Sequence, residues 1–175
     1  MFFNQFLAQI PDFDIVSKYA KTKDRLCGVK VDSLISLPYW TLKKTLPDLI
    51  KEAKYEKAMH LILKNKNKSV SFAKLVNSDN YDKAMFFFHI LNEFQKINQL
   101  EKEYLSSSPD PEWQKAGIDK LNVLEDFNTI DHIAENYNYT HEEVKWLPYG
   151  LIFDIQLRAK ILRDVEKKRF ENSKK

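Results

Sequence analysis

Four histidines, one cysteine and a scatter of carboxylates are the side chains of this sequence with chemistry to offer. None of His60, His89, His132 and His141 has a glutamate three residues before it, so the Glu-x-x-His pairs of a helical di-iron site are missing. His141-Glu142 begins like a zinc-protease motif, but the second histidine would have to stand where the chain has Lys145. Gly28, Gly117 and Gly150 are the only glycines, and none lies in a phosphate-binding or dinucleotide-binding loop. Cys27 has no second thiol for a disulfide, a zinc knuckle or a redox pair, and no flanking signature marks it as a nucleophile. Asp131, His132 and Glu135 bring two acids and an imidazole onto one short helical stretch. That triplet has the makings of a general acid/base site, and helix surfaces also carry such triplets with no chemical role. These residues lead us to expect no catalytic residue, no metal and no cofactor.

The positive side chains divide the same way. Lys64, Lys66 and Lys68 in the run KNKNKS, and Lys167, Lys168 and Arg169 near the C-terminus, are the two clusters able to meet phosphate. Overall, 28 Lys+Arg stand against 25 Asp+Glu, a formal charge of +3, too mild a balance to imply nucleic acid. The first cluster reads equally as a solvated loop, and the second as a basic helix end that favours the negative pole of the helix dipole.

The elements that would position these groups are helices. A chain of 175 residues with 43% hydrophobic content carries enough apolar mass for one core, and only 3 Gly against 12 Phe and 8 Tyr leaves few hairpin turns. The expectation is an all-α fold, an irregular multi-helix bundle without a sheet. One domain spanning 1–175 is expected, with a possible N-terminal subdomain 1–66, a linker at 64–69 and a C-terminal helical part 70–175. No window has the apolar length of a membrane span, and the start MFFNQFLAQIPDFD lacks a basic leader. A soluble protein of a reducing, intracellular compartment is therefore expected.

The organising stretch is Tyr81 to Leu105, expected to be the long central helix. Phe87, Ile90, Phe94, Ile97 and Tyr104 recur at three- and four-residue steps, widened by Ala84, Leu91 and Leu100. Phe86 and Phe88 beside Phe87 make its first half apolar nearly all round, so it should be covered on more than one side. Asn92, Glu93 and Lys96 form the polar side, and Phe94 is expected in the core, where truncation to alanine costs about 3 to 5 kcal/mol.

Ahead of it, Phe2 to Ile10 reads as a short helix stopped by Pro11, and a second run extends to about Leu26 with Gly28 as its stop. Pro38 and Pro47 each suit a first helical turn, and a longer helix is expected from Pro47 to Lys64. A brief helix through Phe72, Leu75 and Val76 ends in Asn77 to Asn80, whose side chains cap the long helix. Beyond Leu105, Asp110-Pro111-Glu112 is a strong helix start, and Trp113, Leu121 and Leu124 share a face. Asn128 and Asp131 introduce Ile130, Ile133 and Ala134, and Thr140 to Glu143 match a capping box. Pro148 then forces a bend, and Ile152, Ile155, Ala159, Leu162 and Val165 mark a final helix to about Phe170. Leu37-Pro38-Tyr39 beside Trp40 is echoed by Leu147-Pro148-Tyr149 beside Trp146.

The segments AGIDKL, NTID and EEVKWLPYG in the last third resemble small helical proteins of bacteriophage structural genes, nearest to the tail assembly chaperones. The resemblance covers about a third of the chain and rests on an acidic short helix, a Leu-Pro-Tyr bend and a charged terminal helix. It implies a non-enzymatic protein that binds a long tail protein during assembly, or a small virion component, in the cytoplasm of a bacterial host or in the particle. The expected partner or self-association surface is the bend itself, Trp146, Leu147, Pro148 and Tyr149, because large rings with polar tips bury much area at little entropic cost. Two other functions stay open at this point: a small enzyme built on groups such as His132 and Glu135, and weak nucleic-acid binding through the two basic clusters.

Overall fold

The computed structural model describes residues 22–106, 124 and 126–173, and these are mostly helical. The N-terminal helices expected before Thr22, the Asp110-Pro111 start and Trp113 with Leu121 lie outside the described residues. Contacts divide the described chain into two compact units, one up to Leu37 and from Thr41 to Asn98, the other comprising Pro38–Trp40 and the residues from Gln99 onward. Among the described residues, no helix is long and apolar enough to cross a membrane.

The first unit departs at once from the sheet-free fold that composition favours. β1 (Arg25–Leu26) pairs antiparallel with β2 (Val29–Lys30), Arg25 opposite Lys30 and Leu26 opposite Val29. Cys27 and Gly28 between them have φ of 55° and 83°, the paired left-handed conformation of a two-residue hairpin turn. Gly28 thus reverses a hairpin instead of ending a helix, and Leu26 and Val29 turn into the core. His89 fixes the exit strand, since its Nε2 lies 2.7 Å from the Val31 carbonyl oxygen, which can only accept, and so Nε2 must donate.

Pro47 does not begin a helix. Helical backbone already runs from residue 39, widens into a π-turn at Thr41–Thr45, and continues as α1 (Leu46–Lys51), with Pro47 at its second position. Proline inside a helix lacks a donor and crowds the carbonyl four residues back, here Lys43, and the wider π-turn relieves that crowding. The single long helix expected to Lys64 is broken at Glu52 to Lys54, where Ala53 takes φ of 55°, and α2 (Tyr55–Lys66) starts afresh. Lys64 and Lys66 therefore belong to the last turn of a helix. Ser71 caps α3 (Phe72–Val76) by accepting from the Lys74 N–H at 3.2 Å.

α4 (Asn80–Leu100) starts on Asp79, whose carboxylate accepts from the Tyr81 and Asp82 amides. A second π-turn, Glu101–Leu105, comes after it, and Ser106 closes that turn by donating to the Glu101 carbonyl five residues back. Phe86, Phe87 and Phe88 are all buried, so the first half of α4 is covered on more than one side. Full burial of each ring is worth about 2 to 3 kcal/mol. Ile90 and Ile97 are buried with them, and Tyr55 packs on Phe87 at 4.9 Å between ring centres.

Several residues depart from the simple two-sided picture: Leu100 and Tyr104, placed on the apolar face, are 41% and 43% exposed, because the end of the stretch has less packed against it. Glu93, assigned to the polar side, is buried and receives Lys96 at 2.6 Å. Phe94, assigned to the core, is half-buried and walls an open groove of about 490 Å3 with Leu42, Pro47, Ile50, Leu91 and Ile97, flanked by Lys43 and Lys51. Phe94→Ala is accordingly expected to cost about 1 to 2 kcal/mol, less than a core phenylalanine, measured by urea unfolding. A loss above about 3 kcal/mol would return Phe94 to the core.

In the second unit, α5 (Asp126–Tyr137) buries Ile130, Ile133 and Ala134. α6 (His141–Trp146) carries the expected capping box: Thr140 Oγ1 accepts from the Glu143 amide at 3.2 Å, and Glu143 Oε2 accepts from the Thr140 amide at 2.8 Å. That backbone bond holds the Glu143 carboxyl below its usual range. α7 (Tyr149–Ser173) continues from the Pro148 bend, with the Pro148 carbonyl accepting from the Leu151 and Ile152 amides.

Candidate interaction surface

Pro38-Tyr39 and Leu147-Pro148-Tyr149, remote along the chain, meet in the second unit. Pro38 and Pro148 face each other in an antiparallel bridge, and the Tyr39 N–H donates to the Leu147 carbonyl at 2.8 Å. The hydrogen bond comes from the residues flanking the prolines, so the missing proline N–H costs nothing at this position. Each proline then opens a helix, and the first tyrosine of each lies inside: Tyr39 and Tyr149 are buried with their rings 4° from parallel and centres 6.3 Å apart. Tyr39 Oη donates to Asp126 at 3.0 Å and Tyr149 Oη to Glu101 at 2.7 Å. Burial, reinforced in each case by its carboxylate, pushes both phenols far above the ordinary tyrosine range.

This clasp sets what the neighbouring residues present outward. Tyr149 is 2% exposed and anchors the bend from within, Leu147 is half-buried, Pro148 is exposed, and Trp146 stands 59% exposed. Glu142 fixes that indole by accepting from its Nε1–H at 2.9 Å while also receiving Lys145 at 3.0 Å. Those two donors, Lys145 first, lower the Glu142 carboxyl from its ordinary value. Lys145 also sits 5.3 Å from the centre of the Trp40 ring, a cation–π contact. The Trp146 ring is thus tied at its Nε1 edge while more than half of the residue's surface stays exposed.

α7 prolongs the surface. Its inner side is held as far as Lys160: Gln156 donates to Thr129 Oγ1 at 3.0 Å, and Lys160 Nζ donates to the Tyr104 and Ser106 carbonyls at 2.8 Å each. From 161 to 173 every residue is exposed, including Ile161, Leu162 and Val165. Lys167, Lys168 and Arg169 lie in this exposed stretch.

The groups with acid/base potential do not converge. Asp131 turns to His141 at 3.0 Å, with Phe127 edge-on to the same imidazole, whereas His132 is met by Asn136 and Glu135 is exposed. His132 lines a small open cleft of about 240 Å3 with Thr129, Gln156, Lys160 and Arg163, and neither Asp131 nor Glu135 shares it. His60 has its Nε2 3.0 Å from the Val70 carbonyl, to which it must donate. Cys27 sits half-exposed in the hairpin turn. Lys66 donates to Ser36 at 2.6 Å. Among the described residues, no group of three or more His, Cys, Asp or Glu is arranged to hold a metal.

Sequence reasoning missed the clasp partners Asp126 and Glu101, and it read the two Leu-Pro-Tyr sites as separate helix starts. The repeated tripeptide was the available signal. Comparisons with protein-family models, with curated proteins and with solved structures find no match for the chain.

Proposed function

We propose that this chain is a non-enzymatic protein–protein interaction protein, of the kind that the resemblance to phage tail assembly chaperones and small virion components implies. It binds another protein, a long tail protein in the phage version, within a bacterial cytoplasm or in the virion. In this reading the helices form an irregular bundle with α4 as its longest interior element. The binding surface is Trp146, Leu147 and Pro148, held by Tyr149 beneath them, and continues along α7. The observation that carries the proposal is the exposed indole followed by uncovered Leu151, Leu162 and Val165 on one helix. Apolar groups gathered on one exposed face mark interaction sites, whereas singly scattered ones do not.

The test joins genetics to co-expression. The gene is expected among virion or tail genes, and the adjacent tail protein should co-purify with the wild-type chain. Recovery should fall about tenfold or more with a Trp146→Ala, Leu162→Glu double variant whose thermal melt is unchanged. A gene remote from any such neighbours removes the phage version. Undiminished co-purification by the double variant removes the surface.

A further inference from the structure

The exposed side of α7 has a period of its own. Leu151, Ile155, Arg158, Leu162, Val165 and Arg169 succeed one another at alternating steps of four and three residues, the spacing of a coiled-coil seam. Leu151, Leu162 and Val165 are 43%, 53% and 57% exposed, Ile155 is half-buried, and Arg158 within the row and Arg169 at its end are exposed. Helices draw most of their stability from packing an apolar face, and the stretch from 161 to 173 is exposed at every position, so a further surface laid on it would stabilise it.

The two arginines say what that is. They stand on the apolar seam, about three helical turns apart, and among the described residues no ion pair or hydrogen bond reaches either one, although Asp154 and Glu166 lie nearby on the same helix. In a parallel pair of two copies, Arg158 would face Arg158 and Arg169 would face Arg169. In the antiparallel register centred between Leu162 and Val165, Arg158 would face Arg169. Shifting that register by one heptad sets Arg158 and Arg169 against Leu162 and Leu151 in one direction, and Arg169 against Val165 in the other, so neither shift brings a carboxylate to the seam. Burying a charge without a partner is costly, whereas a guanidinium meets a carboxylate through two parallel hydrogen bonds.

We propose that the outer face of α7 docks a partner helix whose apolar heptad seam carries two acidic residues, placed to meet Arg158 and Arg169. The proposal rests on the interaction-protein reading and adds the partner's secondary structure, charge and spacing. Polar residues on a coiled-coil seam select register and partner, and the two arginines do so here.

The test uses the full chain and two synthetic four-heptad peptides with leucine seams, one with glutamate and the other with lysine at the two matching seam positions, monitored by fluorescence anisotropy. The glutamate peptide is expected to bind about tenfold tighter or more. An Arg158→Glu, Arg169→Glu variant should reverse the preference, and an Arg158→Gln, Arg169→Gln variant should abolish it, both with unchanged thermal melts. Equal affinity for the two peptides, or binding of neither, overturns the proposal. So does a dimer in sedimentation velocity that Leu162→Glu dissolves, because a second copy would then be the occupant. Stronger binding to vesicles of anionic phospholipid than to the glutamate peptide also overturns it. Co-purification of the tail protein that survives both arginine variants but not Trp146→Ala, Leu162→Glu leaves the functional reading standing while this one falls.

Discussion

Replacing Glu56 with alanine is expected to cost about 2 to 4 kcal/mol of folding stability, although Glu56 itself keeps a quarter of its side-chain surface in water. The reason lies across the contact. Lys83 Nζ is 2.8 Å from Glu56 Oε1 and 3.1 Å from the Val76 carbonyl, and the lysine side chain is only 3% exposed. Without the carboxylate, a buried ammonium inside the first unit loses the Glu56 charge that offsets part of the cost of desolvating it. Lys83→Met keeps the aliphatic stem and removes the charge, while the carboxylate left behind can still reach water. It should therefore cost less than Glu56→Ala, by about 1 kcal/mol or more. Urea unfolding of the two variants measures the order directly. A Glu56→Ala loss below about 0.5 kcal/mol would mean that the pair behaves as an exposed one.

The second large effect is expected at the clasp. Tyr149→Ala should cost about 3 to 5 kcal/mol, since it empties a buried ring site and removes the stacking partner of Tyr39. Tyr149→Phe keeps the ring and loses the hydrogen bond to Glu101, for about 1 to 2 kcal/mol. A double-mutant cycle of Tyr39→Ala with Tyr149→Ala should show coupling of about 0.5 kcal/mol or more, and strict additivity would mean that the rings do not act together. The clasp also sets an alkaline limit. Both phenols ionise later in the folded chain than the ordinary 10.0, so the unfolded chain loses these protons first. Their contribution is intact below pH 10.0 and is lost as the pH rises beyond it. Tyrosinate absorbance from these two rings should appear only with unfolding, and the Tyr39→Phe, Tyr149→Phe variant should show a flatter decline of stability above that pH. Early titration of both rings in the folded protein would contradict their burial.

Local chemistry was legible in the chain wherever cause and effect lie within a few residues. Thr140 and Glu143 form the capping box because the bonds join positions three apart, and Asp79 starts α4 for the same reason. The Pro148 bend was equally readable, since proline restricts its own neighbour whatever surrounds it. The periodicity also named Ala84, Phe87, Ile90 and Ile97 as buried, but the same stripe included Leu100 and Tyr104, which are exposed.

Tertiary structure decided the rest. The break at Ala53 has no glycine or proline to announce it, and strands of two residues are too short for any alternation to show. Pro47 looked like a helix start because only the folded backbone reveals the π-turn that lets it sit inside one. Glu93 and Phe94 are neighbours whose exposure depends on what packs beside α4, and the helical period is blind to those neighbours. The pairing of Pro38-Tyr39 with Leu147-Pro148-Tyr149 is a contact between distant residues, which a repeated tripeptide suggests but cannot place. The seam of α7 is the sharpest division of the two kinds of information. Spacing alone marked Ile152, Ile155, Ala159, Leu162 and Val165 as one helical stripe, whereas the fold buries Ile152 and leaves Leu162 and Val165 exposed beside Leu151. Only the fold shows that nothing among the described residues covers them, because burial is set by the rest of the chain.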